Sequence, residues 1–213
     1  MMTIEDFGAR VASVWQGLRP ATRGLVERAL LAAQTAAASN GAGQARTDAA
    51  YDARSEWELS RLLAALDERA TEPGTPRLDA DSARELQRVA DTCAAVLHRE
   101  ARSAEVFGQL LERALRVRDY KRVDALADAV SARLSPSEMC ELTRYPRADV
   151  RALAQEALLQ QPTGALVSLL GDPVDAETAR VALEGQADEY ESEEARLIVH
   201  ALEQVDEADE DDL

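Results

Sequence analysis

Apolar residues recur every three or four positions along most of the 213-residue chain, which is the spacing of one face of an α-helix. The stripes predict helices over about 3–18, 20–39, 48–70, 81–102 and 103–118. Thr3 fits the N-cap of the first helix, because a threonine oxygen can accept a hydrogen bond from a free helical N–H, and Asp6 adds a charge that suits this helix end. Trp57 lies among the leucines that form the apolar content of the third helix.

Proline and glycine mark the breaks between these helices. Pro20 opens the second helix and Asn40-Gly41 stops it, and the residues at 40–47 are typical of a loop. The segment 71–76 contains two prolines and one glycine in six residues. We expect it to be either a boundary between two subdomains or an interhelical loop. The predicted organisation is an N-terminal helical subdomain at 1–75, a helical-repeat region at 76–205 and an acidic tail at 206–213.

The second half of the chain repeats itself. Val123-Asp-Ala-Leu-Ala127 aligns with Val150-Arg-Ala-Leu-Ala154 after 27 residues, and Ala179-Arg-Val-Ala-Leu183 follows after 29 more. Shorter predicted helices, at 137–144 and 163–170, lie between these segments and end at turns that contain proline. A last helix at about 192–205 would close the series. This period predicts a repeated helix–turn–helix unit.

The segment Arg147-Ala-Asp-Val-Arg-Ala-Leu-Ala-Gln-Glu-Ala-Leu158 resembles the second helix of the HEAT-like family of α-solenoid repeats. Leu166-Val-Ser-Leu-Leu-Gly-Asp-Pro173 is similar to the first helix and its Asp-Pro turn. Two departures stand out: the spacing from Asp172 to Arg180 is two residues longer than in the family pattern, and Arg144-Tyr145-Pro146 replaces the usual Asp-Pro. The resemblance implies a short right-handed stack of helix pairs. In such a stack Arg151 and Arg180 either bind the adjoining turn or face a partner.

Composition favours an all-α fold, because 41 alanines and 27 leucines stand against two isoleucines and 4% aromatic residues. The net charge of −16 is uneven, since residues 160–213 hold 16 acids and two bases. This charge disfavours nucleic acid as a partner of this end. The chain shows neither a secretory signal nor an apolar run long enough for a membrane span, so we expect a soluble cytoplasmic protein with no membrane contact.

Catalytic motifs are not evident. Cys93 and Cys140 lie on apolar stripes and are expected to be buried thiols, and His98 and His200 lack the Glu-x-x-His spacing of a metal site in a helix bundle. Four carboxylates superficially resemble the magnesium ligands of all-α nucleotide pyrophosphohydrolases, but they lie along one predicted helix and cannot converge on an ion; they are Glu191, Glu194, Glu203 and Asp206. We predict no enzyme activity, cofactor or metal.

A cluster of cations gives the best candidate for a contact with a partner. Arginines surround the single lysine, Lys121, and the pattern fits either a solvated helix end or a contact with an acidic partner. The candidate partner-binding residues are Arg113, Arg116, Lys121, Arg122, Arg144, Arg147 and Arg151.

Three functions remain open from the sequence. The leading hypothesis is a non-catalytic scaffold or adaptor that binds another protein along the repeat surface. The first alternative is a helical enzyme or ligand-binding protein whose site is built from residues distant in sequence. The second is an acidic regulator that masks a basic partner through the tail, which otherwise serves solubility alone.

Overall fold

A computed structural model describes residues 3–38, 51–71 and 78–211, with side chains over 3–35, 51–71 and 78–204. All regular structure in these ranges is helical and no strand occurs within them, so the predicted all-α class is confirmed. The chain divides into two compact units, Met1–Ala101 and Arg102–Leu213. The predicted boundary in the segment 71–76 falls largely outside the described residues, as do the predicted stop at Asn40-Gly41 and the loop at 40–47.

The described residues of the first unit form a short 3-10 helix and four α-helices. The 3-10 helix spans Ile4–Phe7, and the α-helices are α1 (Ala9–Gly17), α2 (Pro20–Ala38), α3 (Ala53–Thr71) and α4 (Ala80–Glu100). Helix α3 packs against α4 and α1, and α4 also contacts α2. Leucines on α3 fill the core of the unit, where Leu59, Leu62, Leu63 and Leu66 are fully buried. Helix α4 therefore belongs to this unit, although the sequence grouped it with the repeat region.

The prediction of one continuous helix over 3–18 is wrong, because the chain turns at Gly8. This residue has a φ of 129° and separates the 3-10 helix from α1. A φ in this range favours glycine, which has no Cβ to clash with the backbone. Arg69 of α3 donates a hydrogen bond of 2.7 Å from Nε to the carbonyl of Phe7 and so satisfies a carbonyl at the break. Thr3 occupies the N-cap of the 3-10 helix, as predicted, and its backbone N–H donates to the Asp6 carboxylate at 2.7 Å.

A buried ion-pair network joins the start of α2 to the start of α3. Glu58 of α3 has a side chain that is 4% exposed, and it accepts hydrogen bonds from the backbone N–H and the Nε of Arg19, both at 3.2 Å. It also accepts a hydrogen bond from the hydroxyl of the buried Thr22. Arg19 extends the network to Asp52 and Ser55. The network fixes the entry of the chain into α2 against a helix more than 30 residues away in sequence.

The second unit contains seven helices within its described residues. They are α5 (Ala104–Arg116), α6 (Tyr120–Arg133), α7 (Pro136–Leu142), α8 (Ala148–Leu159), α9 (Thr163–Val167), α10 (Ala176–Glu189) and α11 (Glu193–Asp211). Successive helices pack as pairs, α5 with α6, α7 with α8, α9 with α10 and α10 with α11. Helix α8 also contacts both α6 and α10, while α5 contacts α7. Each pair therefore packs on the next pair along the chain.

The aligned segments of the sequence occupy equivalent buried positions in α6, α8 and α10. Val123, Val150 and Ala179 are each at most 5% exposed at the first of these positions. Two turns further on, α6 and α8 place Val130 and Ala157 in the core, whereas α10 places the amide of Gln186 there. Small apolar side chains at these sites allow helices to approach closely. The polar exception at Gln186 is satisfied by backbone groups of the preceding pair.

Two further expectations differ from the structure. Trp57 was predicted as part of the apolar content of α3, yet its side chain is half exposed. The guanidinium of Arg61 lies over its ring, 4.7 Å from the centroid. Helix α11 continues to Asp211, beyond the predicted end near residue 205. None of the described helices is both long enough and apolar enough to cross a membrane.

Candidate partner-binding site

The cations around Lys121 lie where α5 ends and α6 begins. Helix α5 closes with two hydrogen bonds that reach backwards, from the N–H of Asp119 to the carbonyl of Ala114 at 3.0 Å and from the N–H of Arg118 to the carbonyl of Leu115 at 3.1 Å. This arrangement is a Schellman motif. The Asp119 side chain then accepts a hydrogen bond from the N–H of Arg122 and caps α6. The turn is thus held by backbone bonds at the end of α5 and by the Asp119 carboxylate at the start of α6.

Arg118 occupies the left-handed position of this motif with a φ of 57°. Glycine is usual at this position, because an L side chain in the left-handed region costs roughly 1 kcal/mol. Arg118 is exposed, and none of its atoms takes part in an ion pair with the rest of the described chain. The same left-handed geometry recurs after α10, where Glu191 has a φ of 54°.

Replacing Arg118 by glycine should raise the free energy of unfolding of the second unit by about 0.5–1 kcal/mol, because the backbone strain disappears while the capping bonds remain. Urea denaturation followed by circular dichroism measures the change. Arg116→Gly is the matched control, since Arg116 has helical geometry in the last turn of α5. It should lower stability by about 1 kcal/mol. A loss of stability in Arg118→Gly would show that the left-handed backbone is not strained.

We define the basic corner as residues 113–122. It contains five cations and one acid, Asp119, and so carries a formal charge of +4. Nearby acids neutralise only part of this charge. Arg116 pairs with Glu112 of α5 at 3.4 Å, and Arg122 lies 3.9 Å from Asp119. Exposed Lys121, like Arg118, has no ion pair among the described residues.

Arg113 forms the base of the corner, and its side chain is largely buried. Burial lowers the pKa of its guanidinium below the usual value, and repulsion from Arg122 and Arg116 lowers it further. These like charges are therefore close together in space. A surface that concentrates cations in this way attracts anionic partners and accelerates their association.

Two large apolar side chains lie beside the cations and face the solvent. Val117 is 66% exposed and Tyr120 is 63% exposed. Tyrosine and arginine are the residue types that contribute most to binding at protein interfaces, since each combines a large apolar surface with a polar group. The basic corner can therefore bind carboxylates through its cations and apolar side chains through Val117 and Tyr120.

The remaining predicted residues belong to a second group at the turn between α7 and α8. Arg144 binds the buried carboxylate of Asp175 at 3.0 Å, and Arg147 pairs with Asp149 at 3.0 Å. Arg151 donates to the carbonyls of Tyr145 and Pro146 at 3.0 and 2.8 Å. This geometry agrees with the hypothesis that Arg151 binds the adjoining turn. All three guanidinium groups are engaged in the fold.

The sequence interpretation missed the two apolar members of the corner. Val117 and Tyr120 lie just outside the apolar stripes of α5 and α6, and a single apolar residue at a helix end gives no periodic signal. The Schellman motif at the end of α5 exposes them, and this motif depends on backbone geometry, which periodic spacing does not show. The arginine-rich neighbourhood of Lys121 was the only available pointer to this region.

In the part of the chain that the structure describes, potential metal ligands do not cluster and neither cysteine is exposed. No group of three or more His, Cys, Asp or Glu side chains there is arranged to hold an ion. Cys93 and Cys140 are buried and unpaired, as predicted. Burial raises the pKa of Cys93 to about 12 and that of Cys140 to about 11, so both thiols are neutral at physiological pH. His200 lies on the exposed face of α11, 3.7 Å from Glu203.

Comparison of the chain with protein-family models, with curated proteins and with solved structures found no match.

Proposed function

We propose that the chain is a non-catalytic interaction module whose second unit binds another protein through the basic corner. The observation that carries this proposal is the exposed combination of Val117, Arg118, Tyr120 and Lys121, in which both cations are unneutralised by the described residues. Arg118 occupies this surface at a cost in backbone energy. A partner suited to this surface has carboxylates for the cations and an apolar side chain for Val117 and Tyr120.

The packing of the second unit supports a scaffold of HEAT-like type. Helix pairs follow one another in chain order, and equivalent positions of α6, α8 and α10 are buried. Such an arrangement holds the turns between helices on a rigid frame, and rigid frames lower the entropic cost of binding. Capping bonds at Asp119 hold the corner to this frame.

An acidic amphipathic peptide tests the proposal. Fluorescence anisotropy of a labelled peptide of alternating Glu and Leu should show binding to the intact chain that weakens as salt is raised. Replacing Arg118 and Lys121 together by serine should weaken binding at least tenfold. Serines at Arg102 and Arg133, two exposed arginines of the same unit, change the net charge equally and should leave the affinity within twofold.

Two results would contradict the proposal. One is equal weakening by the corner and control variants, since net charge alone would then explain the attraction. The other is full retention of binding by a peptide in which every Glu is replaced by Gln. Replacing Val117 and Tyr120 by serine isolates the apolar contribution, and we expect a loss of about tenfold from that pair.

A further inference from the structure

The first unit contains a cleft of about 1200 Å³ that is independent of the basic corner. The N-terminal segment, α2 and the first half of α4 line it. Sites for small molecules measure roughly 300–1000 Å³ and are mostly enclosed, whereas this cleft is an open groove. Its size and form suit a segment of helix lying between α2 and α4 better than a metabolite.

The cleft offers apolar surface to such a segment. Leu31 of α2 is 60% exposed although it lines the cleft, and Ile4, Trp15 and Leu30 are half-buried around it. Phe7 and Val89 form a buried floor. Apolar surface that borders a concave site is typical of binding grooves.

The polar part of the lining is strongly acidic. Among the described residues that line the cleft there are five carboxylates and one guanidinium, that of Arg88. Asp81 and Glu85 are neutralised by Arg84 and Arg88. The other three, Glu5, Glu27 and Asp79, have no ion pair among the residues whose side chains the structure describes. An occupant of this cleft should therefore carry several positive charges.

Arg88 adds a requirement for a hydrogen-bond acceptor. Its Nε and Nη2 donate to the two carboxylate oxygens of Glu85, at 2.8 and 2.5 Å. Its Nη1 is shielded from solvent and has no acceptor within the described chain. A buried donor left without a partner costs free energy, and the half-buried guanidinium would have to turn towards the cleft for an acceptor on the occupant to reach Nη1. The carbonyls at the end of a helix are free to accept such a bond.

We propose that this cleft is a docking groove for a basic amphipathic helix of a partner protein. Leucine-like side chains spaced at i, i+4 and i+7 would cover Leu31 and Trp15, while lysines and arginines on the flanks would pair with Glu5, Glu27 and Asp79. The inference goes beyond the function proposed above, because it concerns the other unit and a partner of opposite charge. The chain would then join an acidic partner to a basic one.

Trp15 allows the proposal to be tested directly. A Trp57→Phe background leaves Trp15 as the single tryptophan. Titration with a helical peptide of about 14 residues, with Leu on one face and Lys on the other, should shift the Trp15 emission and saturate at one peptide per chain. The variant Glu27→Lys/Leu31→Ser should weaken binding at least tenfold, and neither side chain is needed for folding because both are exposed.

Matched controls separate docking from simple charge attraction. Glu177→Lys/Leu197→Ser makes the same chemical changes at exposed positions of the second unit and should leave the affinity within twofold. A peptide of the same composition in scrambled order should bind at least tenfold more weakly. Equal binding of the scrambled peptide, or equal weakening by both variants, would overturn the proposal. So would self-association of the chain that the Arg118→Ser/Lys121→Ser variant abolishes, because the basic corner of a second copy would then fill the cleft.

The two proposals can fail separately. The cleft variant should bind the acidic peptide with unchanged affinity, and the corner variant should bind the basic peptide with unchanged affinity. Loss of both activities in either variant would indicate a general defect in folding, which circular dichroism detects.

Discussion

Replacing Glu58 by alanine should lower the free energy of unfolding of the first unit by about 3 kcal/mol. The carboxylate is almost fully buried and accepts bonds from Arg19, Thr22 and Arg54. Its removal leaves a partly buried guanidinium and a buried hydroxyl without their acceptor, and breaking a buried ion pair in this way costs roughly 3–5 kcal/mol. The lower end of this range applies because Arg19 is 29% exposed and keeps its ion pair with Asp52.

Urea denaturation followed by tryptophan fluorescence measures this effect, because both tryptophans of the chain lie in the first unit. The control is Glu68→Ala, on the same helix. Glu68 also pairs with an arginine of another helix, Arg10, but both side chains are at least half exposed. Exposed pairs contribute about 0–1 kcal/mol, so this variant should be nearly as stable as the parent. Equal losses from the two variants would show that burial does not strengthen the Glu58 network.

The same network gives the first unit a defined response to acid. Hydrogen bonds from Arg19 and Ser55 hold the pKa of Asp52 well below its ordinary value of 3.8. Burial raises the pKa of Glu58, but the bonds from Thr22 and Arg19 outweigh burial and leave it below 4.5. Carboxyls with lowered pKa values stabilise the folded state above their ordinary pKa, and this stabilisation is lost as the pH falls through the folded values. Stability should be flat from pH 7 to about 5 and fall below that, less steeply in Glu58→Ala.

Replacing Gln186 by leucine should destabilise the second unit by about 2 kcal/mol, even though leucine has a similar volume. The Gln186 amide donates to the carbonyls of Leu159 and Gln161 at 3.0 and 2.6 Å and accepts a bond from the hydroxyl of Thr163 at 3.1 Å. Leucine would leave these groups without that partner, and each buried unsatisfied group costs roughly 1–3 kcal/mol. The total loss stays near 2 kcal/mol because these groups are only partly buried.

Hydrogen exchange of peptides from α8 and α10 measures this loss in the second unit alone. Gln160→Leu is the control, because Gln160 is exposed and its amide donates to another exposed side chain, that of Glu156, at 3.1 Å. It should change stability by less than about 0.5 kcal/mol. Unchanged exchange in Gln186→Leu would mean that water replaces the amide at the end of α8.

Local rules predicted much of the fold. The sequence predicted a helix at 137–144, and α7 begins one residue earlier, at Pro136, where Ser135 and Glu138 form a capping box. The stripe of α5 predicted its buried face, including Phe107 and Leu111. Such features depend on residues within one or two turns of each other. Helical spacing therefore sufficed to find them.

Features that depend on distant residues or on unusual backbone angles were not predictable. Helical spacing continues through Gly8, and the bond from Arg69 to Phe7 that accompanies the break there joins residues 62 positions apart. The Glu58 network and the acidic cleft likewise assemble side chains from separate helices. In the candidate site, the cations could be read from the sequence. The left-handed backbone of Arg118 could not, because arginine has no preference for that conformation.

The order in which the helices of the second unit pack has a consequence for how that unit forms. Each helix pair contacts the pair that follows it in the chain, so no contact between pairs requires a long stretch of disordered chain to be closed first. The entropic barrier to folding is correspondingly low, and structure can grow from any pair towards its neighbours. The pair α10 and α11 comes last in this series, and we expect it to open before the contacts from α5 to α8 are lost.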